Sequence, residues 1–252
     1  MSDRRLPTPE RPGYALRGLQ GVIIESLGRA IVAGRYAEGA VLPREDELCA
    51  EFGMSRTTVR GAMTVLAAKG LIEIRPKTGT KVRPRALWNV FDSDLLTWAH
   101  REGEAGGMMD ALIELRQIME PAAARLAATR ATIRELGPLS RAASALAASV
   151  DDPVAYPEWD VAFHLAVYDA SHNPLLARFG LLVADFMKIA FEIQQHGDHL
   201  TVDLADDAAR HLRVSDAIAR GEADAAASAM LEVVLDGKNA LAAAIADAES
   251  RA

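Results

Sequence analysis

Apolar residues recur at three- and four-residue steps through Leu19, Ile23, Leu27, Ala30 and Ile31 until Gly34 interrupts them, a spacing that predicts a helix. After the loop Tyr36–Leu42 a second helix opens at Pro43, carries Glu45, Asp46 and Glu47 in its first turn where negative charge suits the helix dipole, and stops at Gly53. Ser55 is the N-cap of a third helix, with Val59, Ala62, Met63, Leu66 and Ala67 on its inner face and Gly70 as its stop. Leu71–Ile74 then alternates, a polar turn Arg75–Gly79 follows, and Thr80–Val82 begins a return strand, which together read as a two-stranded wing. From Leu87 onward the periodicity is helical throughout, in segments near 92–103, 108–129, 132–148, 154–171, 174–195, 204–220 and 222–247. In the second of these, Met108, Leu112, Leu115, Met119, Ala122 and Leu126 form a stripe spaced for a core-facing side. Pro121 interrupts its backbone bonding, so a kink is expected close to Arg116 and Glu120.

The expected fold class is therefore mainly α, an N-terminal winged helix-turn-helix with a two-stranded wing joined to a C-terminal all-helical bundle. With 252 residues the length favours two domains. The expected divisions are a flexible arm 1–14, a DNA-binding domain 15–83, a linker with the first C-terminal helix 84–107, and an effector-binding domain 108–247. Half of the residues are apolar, yet the chain has neither an uncharged run long enough for a membrane span nor an apolar leader at its start, so a soluble, cytoplasmic protein is expected. The single cysteine, Cys49, has no partner for an intrachain disulfide and reads as a small apolar side chain.

Charge sharpens the two-domain picture. The net charge of −7 argues against nucleic-acid binding only if it is evenly spread. Residues 1–86 hold 15 Lys and Arg against 9 Asp and Glu, whereas residues 87–252 hold 13 against 26, so a basic module precedes an acidic one. In a helix-turn-helix the N-terminal side chains of the second helix face base edges and phosphates. Arg56, Thr57, Thr58 and Arg60 occupy those positions behind the Ser55 cap. Arginine offers bidentate bonds to guanine, and threonine offers phosphate or thymine-methyl contact. Arg44 at the head of the preceding helix, with Lys77, Thr78 and Gly79 at the wing tip, completes the candidate DNA surface. Any single arginine here reads as a solvated helix face. The combination of two short helices, a Gly-x-Ser turn and an adjacent basic wing favours DNA binding.

The run Leu42-Pro43-Arg44-Glu45-Asp46-Glu47-Leu48, then Phe52-Gly53-Met54-Ser55-Arg56-Thr57-Thr58-Val59-Arg60, with Leu66, Gly70-Leu71-Ile72 and Gly79-Thr80, resembles the DNA-binding domain of the GntR superfamily over about residues 17–83. It departs from that pattern at Asp46, where many members have a DNA-contacting arginine, and at Gly61, where glutamate is usual, so base preference does not carry over. Residues 110–240 resemble the FCD effector domain of the FadR subfamily. The resemblance lies in Glu114-Leu115-Arg116 with Glu120, in Asp160-x-x-Phe163-His164 with His172-Asn173-Pro174, and in His211 followed by Gly221-Glu222-Ala223.

That resemblance implies a pocket holding a divalent metal, zinc or manganese, and a small carboxylate, with Arg116, Glu120, Asp160, His164, Asn173 and His211 as effector-binding residues. Asp160 and His164 are spaced i, i+4 on one helix face and suit a shared cation, with His211 as a third ligand. A fourth family histidine, 22 residues after that position, is replaced by Val233. Two arrangements stay open: a three-ligand site filled out by water or effector, with His196 or His199 nearby, or a metal-free pocket in which these side chains bond effector hydroxyls. Arg116 needs an anionic partner inside a helical bundle, either a carboxylate ligand or Glu120 one turn on.

The stretch Leu87-Trp88-Asn89 with Asp92, Asp94-Leu95-Leu96 and Trp98 is similar to a sugar-acid-responsive branch of the same family, which implies an effector such as D-galactonate. The reading is a homodimeric regulator, a repressor in sense, whose grip on pseudo-palindromic operator DNA changes with ligand. The competing readings are a regulator answering to another hydroxy acid or uronate, an acyl-CoA sensor, and an enzyme with Asp160, His164 and His211 as its metal centre. The enzyme lacks a nucleophile motif and a phosphate-binding glycine loop, and it leaves the winged helix without a purpose.

Overall fold

Three helices and a hairpin build the N-terminal part of the computed structural model, which describes residues 18–75, 79–195 and 203–250. Helix α1 (Leu19–Val32) buries Ile23, Ile24, Leu27, Gly28, Ile31 and Val32. Helix α2 (Glu45–Phe52) begins where the Glu47 carboxylate accepts the Arg44 backbone N–H at 2.7 Å, and it ends at Gly53. Helix α3 (Arg56–Ala68) is capped by Ser55, whose hydroxyl accepts the Thr58 backbone N–H, and it buries Val59, Ala62, Met63, Val65 and Leu66. Strands β1 (Ile72–Arg75) and β2 (Gly79–Val82) pair antiparallel with Ile72 opposite Val82 and Arg75 opposite Gly79. The strand thus claims Arg75, one residue further than the alternation of Leu71–Ile74 implies, because the ladder closes on Gly79. Lys77 and Thr78 lie outside the described residues.

Gly70 shows why the turn after α3 needs glycine. Its φ is +80°, and a Cβ there would sit 2.7 Å from the Leu87 carbonyl oxygen. A short 3-10 turn, Arg85–Leu87, leads into α4 (Ser93–Arg101), which packs on α1 within the unit that runs through Glu104. Trp98, 1% exposed, lies against Gly28, while Arg29 pairs with Glu102 and Arg101 with Glu25, both at 2.6 Å. The buried ammonium of Lys69, at the end of α3, bonds Asp92 at 2.8 Å and Asp94 at 2.5 Å. The first C-terminal helix of the sequence reading is therefore held to the DNA-binding helices by apolar and charged contacts alike.

The second unit starts at Ala105 and is helical among its described residues. Its elements are α5 (Gly106–Arg130), α6 (Ile133–Ala147), α7 (Ala155–Ala170), α8 (Pro174–Gln195), α9 (Leu204–Ala219) and α10 (Ala223–Ser250). Helix α5 packs against α10 and α7, and α6 against α7 and α9. Pro121 lies inside α5 without ending it. The buried side of α5 is Met109, Leu112, Ile113, Arg116, Glu120, Ala123, Ala124 and Ala127. Of the stripe predicted from the sequence only Leu112 is buried, and Ala122 is exposed. The face is rotated because Arg116 and Glu120 neutralise each other and so occupy the interior, where a hydrophobicity pattern has no place for them. Among the described residues no helix is long and apolar enough to cross a membrane.

Candidate functional site

Helix α7 presents Tyr156, Asp160 and His164 at successive i, i+4 steps, and α9 presents Asp207 and His211 at the same spacing. All five line a cavity whose wall is continued by Arg116 and Ile113 of α5, Phe186 and Gln194 of α8, and Val233 of α10. Burial is nearly complete: Arg116 is 7% exposed, Asp160 7%, His164 3% and His211 1%. Charged groups that dry must compensate one another.

They do so in a chain. Arg116 Nε donates to Glu120 Oε1 at 2.5 Å, and its guanidinium lies 5.3 Å from the centre of the Phe186 ring. His164 Nδ1 is 2.7 Å from the other Glu120 oxygen, His211 Nε2 is 2.8 Å from Asp160 Oδ1, and His164 Nε2 is 3.6 Å from that same oxygen. His211 Nδ1 bonds the Asp207 backbone carbonyl at 2.9 Å. The Tyr156 hydroxyl donates to Asp207 Oδ2 at 2.5 Å. Phe163 meets both imidazoles edge-on, with centroids 5.7 and 4.9 Å away, and so fixes their planes.

These neighbours move the titrations. Burial alone would raise the Glu120 carboxyl, but Arg116 and His164 outweigh it and hold it at about 2. Burial likewise opposes charge on His211, yet the carboxylates of Asp207 and Asp160 raise that imidazole to about 9. Asp160 is lowered: burial works against its charge, and His211, His164 and Arg116 overcome it. Asp207 is raised, chiefly by burial, with Asp160 and Asp236 adding to it and His211 opposing.

One ligand atom each from Asp160, His164 and His211 lies within 4.8 Å of the other two, a group able to hold a metal ion. Asp160 Oδ1, His164 Nδ1 and His211 Nε2 are buried, and among the described residues none has a hydrogen-bond partner of acceptable angle, despite the short distances above. Asp160 Oδ1 and His211 Nε2 thus face one another without a well-aligned bond, an arrangement a cation would satisfy, whereas His164 Nδ1 faces Glu120 and leaves Nε2 toward Asp160. His211 has its other nitrogen fixed by a backbone carbonyl, and His164 lies against the Glu120 carboxylate, the orienting contacts that metal-bound imidazoles use. Val233, 4% exposed, gives the fourth side an apolar surface. His196 and His199 lie outside the described residues.

Two expected effector residues are not on the wall. Asn173 accepts the backbone N–H of Leu175 at 3.0 Å and of Leu176 at 3.4 Å, capping α8, so its side chain serves the helix terminus. Glu120 stands behind Arg116 and His164 and orients them rather than lining the cavity. Tyr156 and Asp207 were missed. Each sits one turn before a residue that was identified, which is the signal that would have found them.

In the N-terminal unit, Arg56 and Thr57 are exposed on the first turn of α3 and Arg44 is exposed at the head of α2. Ser55 and Thr58 have their hydroxyls 2.9 Å apart, occupied in part by capping. Arg60 donates from Nε to both oxygens of Glu45 at 2.8 and 3.0 Å, a pair that holds α3 to α2. Gly79 opens the return strand of the wing.

Comparison with known proteins agrees with this two-part construction. Residues 19–82 match the family of bacterial regulatory proteins called the gntR family, and residues 111–236 match the FCD domain. The galactonate operon transcriptional repressor of Escherichia coli K12 is 35% identical over 212 residues, 84% of this chain and 92% of that protein. YieP, an HTH-type transcriptional regulator of the same strain, is 35% identical over 88% of this chain and 94% of its own. Among solved structures, Lar from Listeria monocytogenes has a TM-score of 0.60 at 18% identity, with 89% of this chain and 97% of that one covered, a likeness of fold.

Proposed function

The chain belongs to the GntR family of bacterial transcription regulators that carry an FCD domain, and from that premise we propose that it is a homodimeric repressor released from, or retuned on, its operator by a sugar acid of the D-galactonate class. The observation that carries this reading is the single buried wall of Arg116, Asp160, His164 and His211 in one cavity of the helical unit. Arg116 offers a guanidinium to a carboxylate, and the aspartate and imidazoles offer bonds to hydroxyls. The name of the galactonate operon repressor supports an aldonate as the compound read there.

The chain's own charges limit how an anion binds. Glu120 already neutralises Arg116, and Asp160 and Asp207 add negative charge that His211 offsets only in part. Asp160, His164 and His211 are the residues that would hold a divalent cation, zinc or manganese, which would supply positive charge for an anionic effector. Arg116 then orients the carboxylate, Glu120 keeps the guanidinium and the His164 ring in place, and Phe186 and Val233 exclude water around them.

In the DNA-binding unit, α3 of each copy enters the major groove of one half-site, with Arg56 and Thr57 nearest the bases and Arg44 on phosphate. Gly79, at the start of the return strand of the wing, adds contacts to the phosphate backbone.

The test is operator binding by the full-length protein, on a DNA fragment it selects from a random pool, titrated with D-galactonate before and after chelation. A shift in operator affinity of about 5- to 150-fold is expected, the range of ordinary allosteric coupling. Chelation should reduce the response, and manganese or zinc should restore it. Operator affinity indifferent to D-galactonate and to related aldonates overturns the assignment of effector.

A further inference from the structure

The polar wall of the cavity has a direction. Along α7, Tyr156, Asp160 and His164 span about 12 Å at the usual helical rise. Glu120 and Arg116 stand beyond His164, whereas Asp207 stands beside Tyr156. An arginine–glutamate pair therefore marks one end and a carboxylate–phenol pair the other. Asp207 is not free to swing away: it is 9% exposed, its Oδ2 accepts the Tyr156 hydroxyl at 2.5 Å, and the same oxygen is 3.5 Å from His211 Nδ1. Tyr156 is itself 1% exposed and packed against Phe191, with ring centroids 6.5 Å apart. Asp236, also on the lining, is held by Arg210 at 3.0 Å and adds to the acidic character of this end. Lys238, the lysine on the lining, is exposed, where water screens its charge.

We propose that Asp207, positioned by Tyr156, is the specificity determinant of this cavity: it accepts hydrogen bonds from the distal hydroxyls of a polyhydroxy monocarboxylate and turns away the dicarboxylate of the same carbon skeleton. The Tyr156 hydroxyl that donates to Asp207 and the His211 ring beside it favour the ionised carboxyl group, which accepts hydrogen bonds and donates none, so a hydroxyl-bearing tail satisfies it and a second carboxylate does not. Like charges brought together in a buried site repel by more than the added hydrogen bonds of one terminal group return. The inference rests on the reading of the cavity as a sugar-acid site.

Isothermal titration calorimetry of the full-length, manganese-loaded protein with D-galactonate and with galactarate, its dicarboxylic counterpart, tests it. Wild type should favour D-galactonate by at least about tenfold, as one like-charge contact requires. Asp207→Asn should narrow that ratio from both sides, weakening D-galactonate and strengthening galactarate, an exchange that a merely structural defect would not produce. Tyr156→Phe, which removes only the hydroxyl that aims Asp207, should weaken D-galactonate and reduce the ratio in the same direction. Equal affinity of wild type for both acids overturns this inference alone, as does a ratio that Asp207→Asn and Tyr156→Phe both leave unchanged. Binding of neither acid overturns the sugar-acid reading and this inference with it.

Discussion

Glu120 serves two partners with its two oxygens, Arg116 on its own helix and His164 on α7. Its removal leaves a guanidinium 7% exposed without its counter-ion. Breaking a buried pair from one side costs about 3–5 kcal/mol, far more than the fraction of a kcal/mol that an exposed i, i+4 pair contributes. Glu120→Ala is therefore expected to lower stability by that amount in urea denaturation, and an unchanged midpoint would show that Arg116 finds another anion. The pair was legible as an i, i+4 spacing, but its direction was not. Hydrophobicity assigns an arginine and a glutamate to solvent, whereas their mutual pairing, with His164 of α7 on the second Glu120 oxygen, makes their burial favourable. Asn173, expected from the family resemblance to bind effector, has its side-chain oxygen on the first-turn N–H groups of α8.

Helix α4 shows how a linker becomes part of a domain. Its Trp98 fills the place left by the missing side chain of Gly28, and a Cβ at that position would overlap the indole ring. Gly28→Ala gains up to about 1 kcal/mol of helix propensity but forces a large, fully buried ring to move, at about 1–3 kcal/mol for overpacking. The clash should win, giving a net loss of thermal stability together with a change in near-ultraviolet dichroism from Trp98. A rise in melting temperature would mean that α4 is loosely held. Around it the buried Lys69 and the half-buried Asp92 and Asp94 form a three-charge cluster, so the end of the recognition helix and the start of α4 are tied together. The sequence placed α4 with the linker because nothing in its own periodicity names the helix that covers it.

For the molecule as a whole, the division of labour predicts separable defects. Arg56→Ala is expected to cost about 1–3 kcal/mol of operator affinity per contact while leaving the rise in melting temperature with D-galactonate intact. Arg116→Ala should abolish that rise and leave operator affinity in the absence of ligand near the wild-type value. Fluorescence anisotropy on the selected operator, paired with thermal melts, checks both variants. Loss of both activities in each variant would show that the two units do not act as a DNA reader and a ligand reader.

The sequence by itself determined the order of helices, the wing, the charge asymmetry between the halves and the i, i+4 pairing of Asp160 with His164. Each follows from interactions within a few residues of the chain: helical periodicity, capping by Ser55, and glycine stops such as Gly70. Tertiary structure alone decided which face of α5 is buried, that α4 packs on α1, and that Asp207 and Tyr156 join the cavity wall. The reason is physical. A charged side chain moves inside only when partners compensate its lost hydration; Glu120 was written one turn from Arg116, but His164, His211 and the packing of α7 and α9 around them were not.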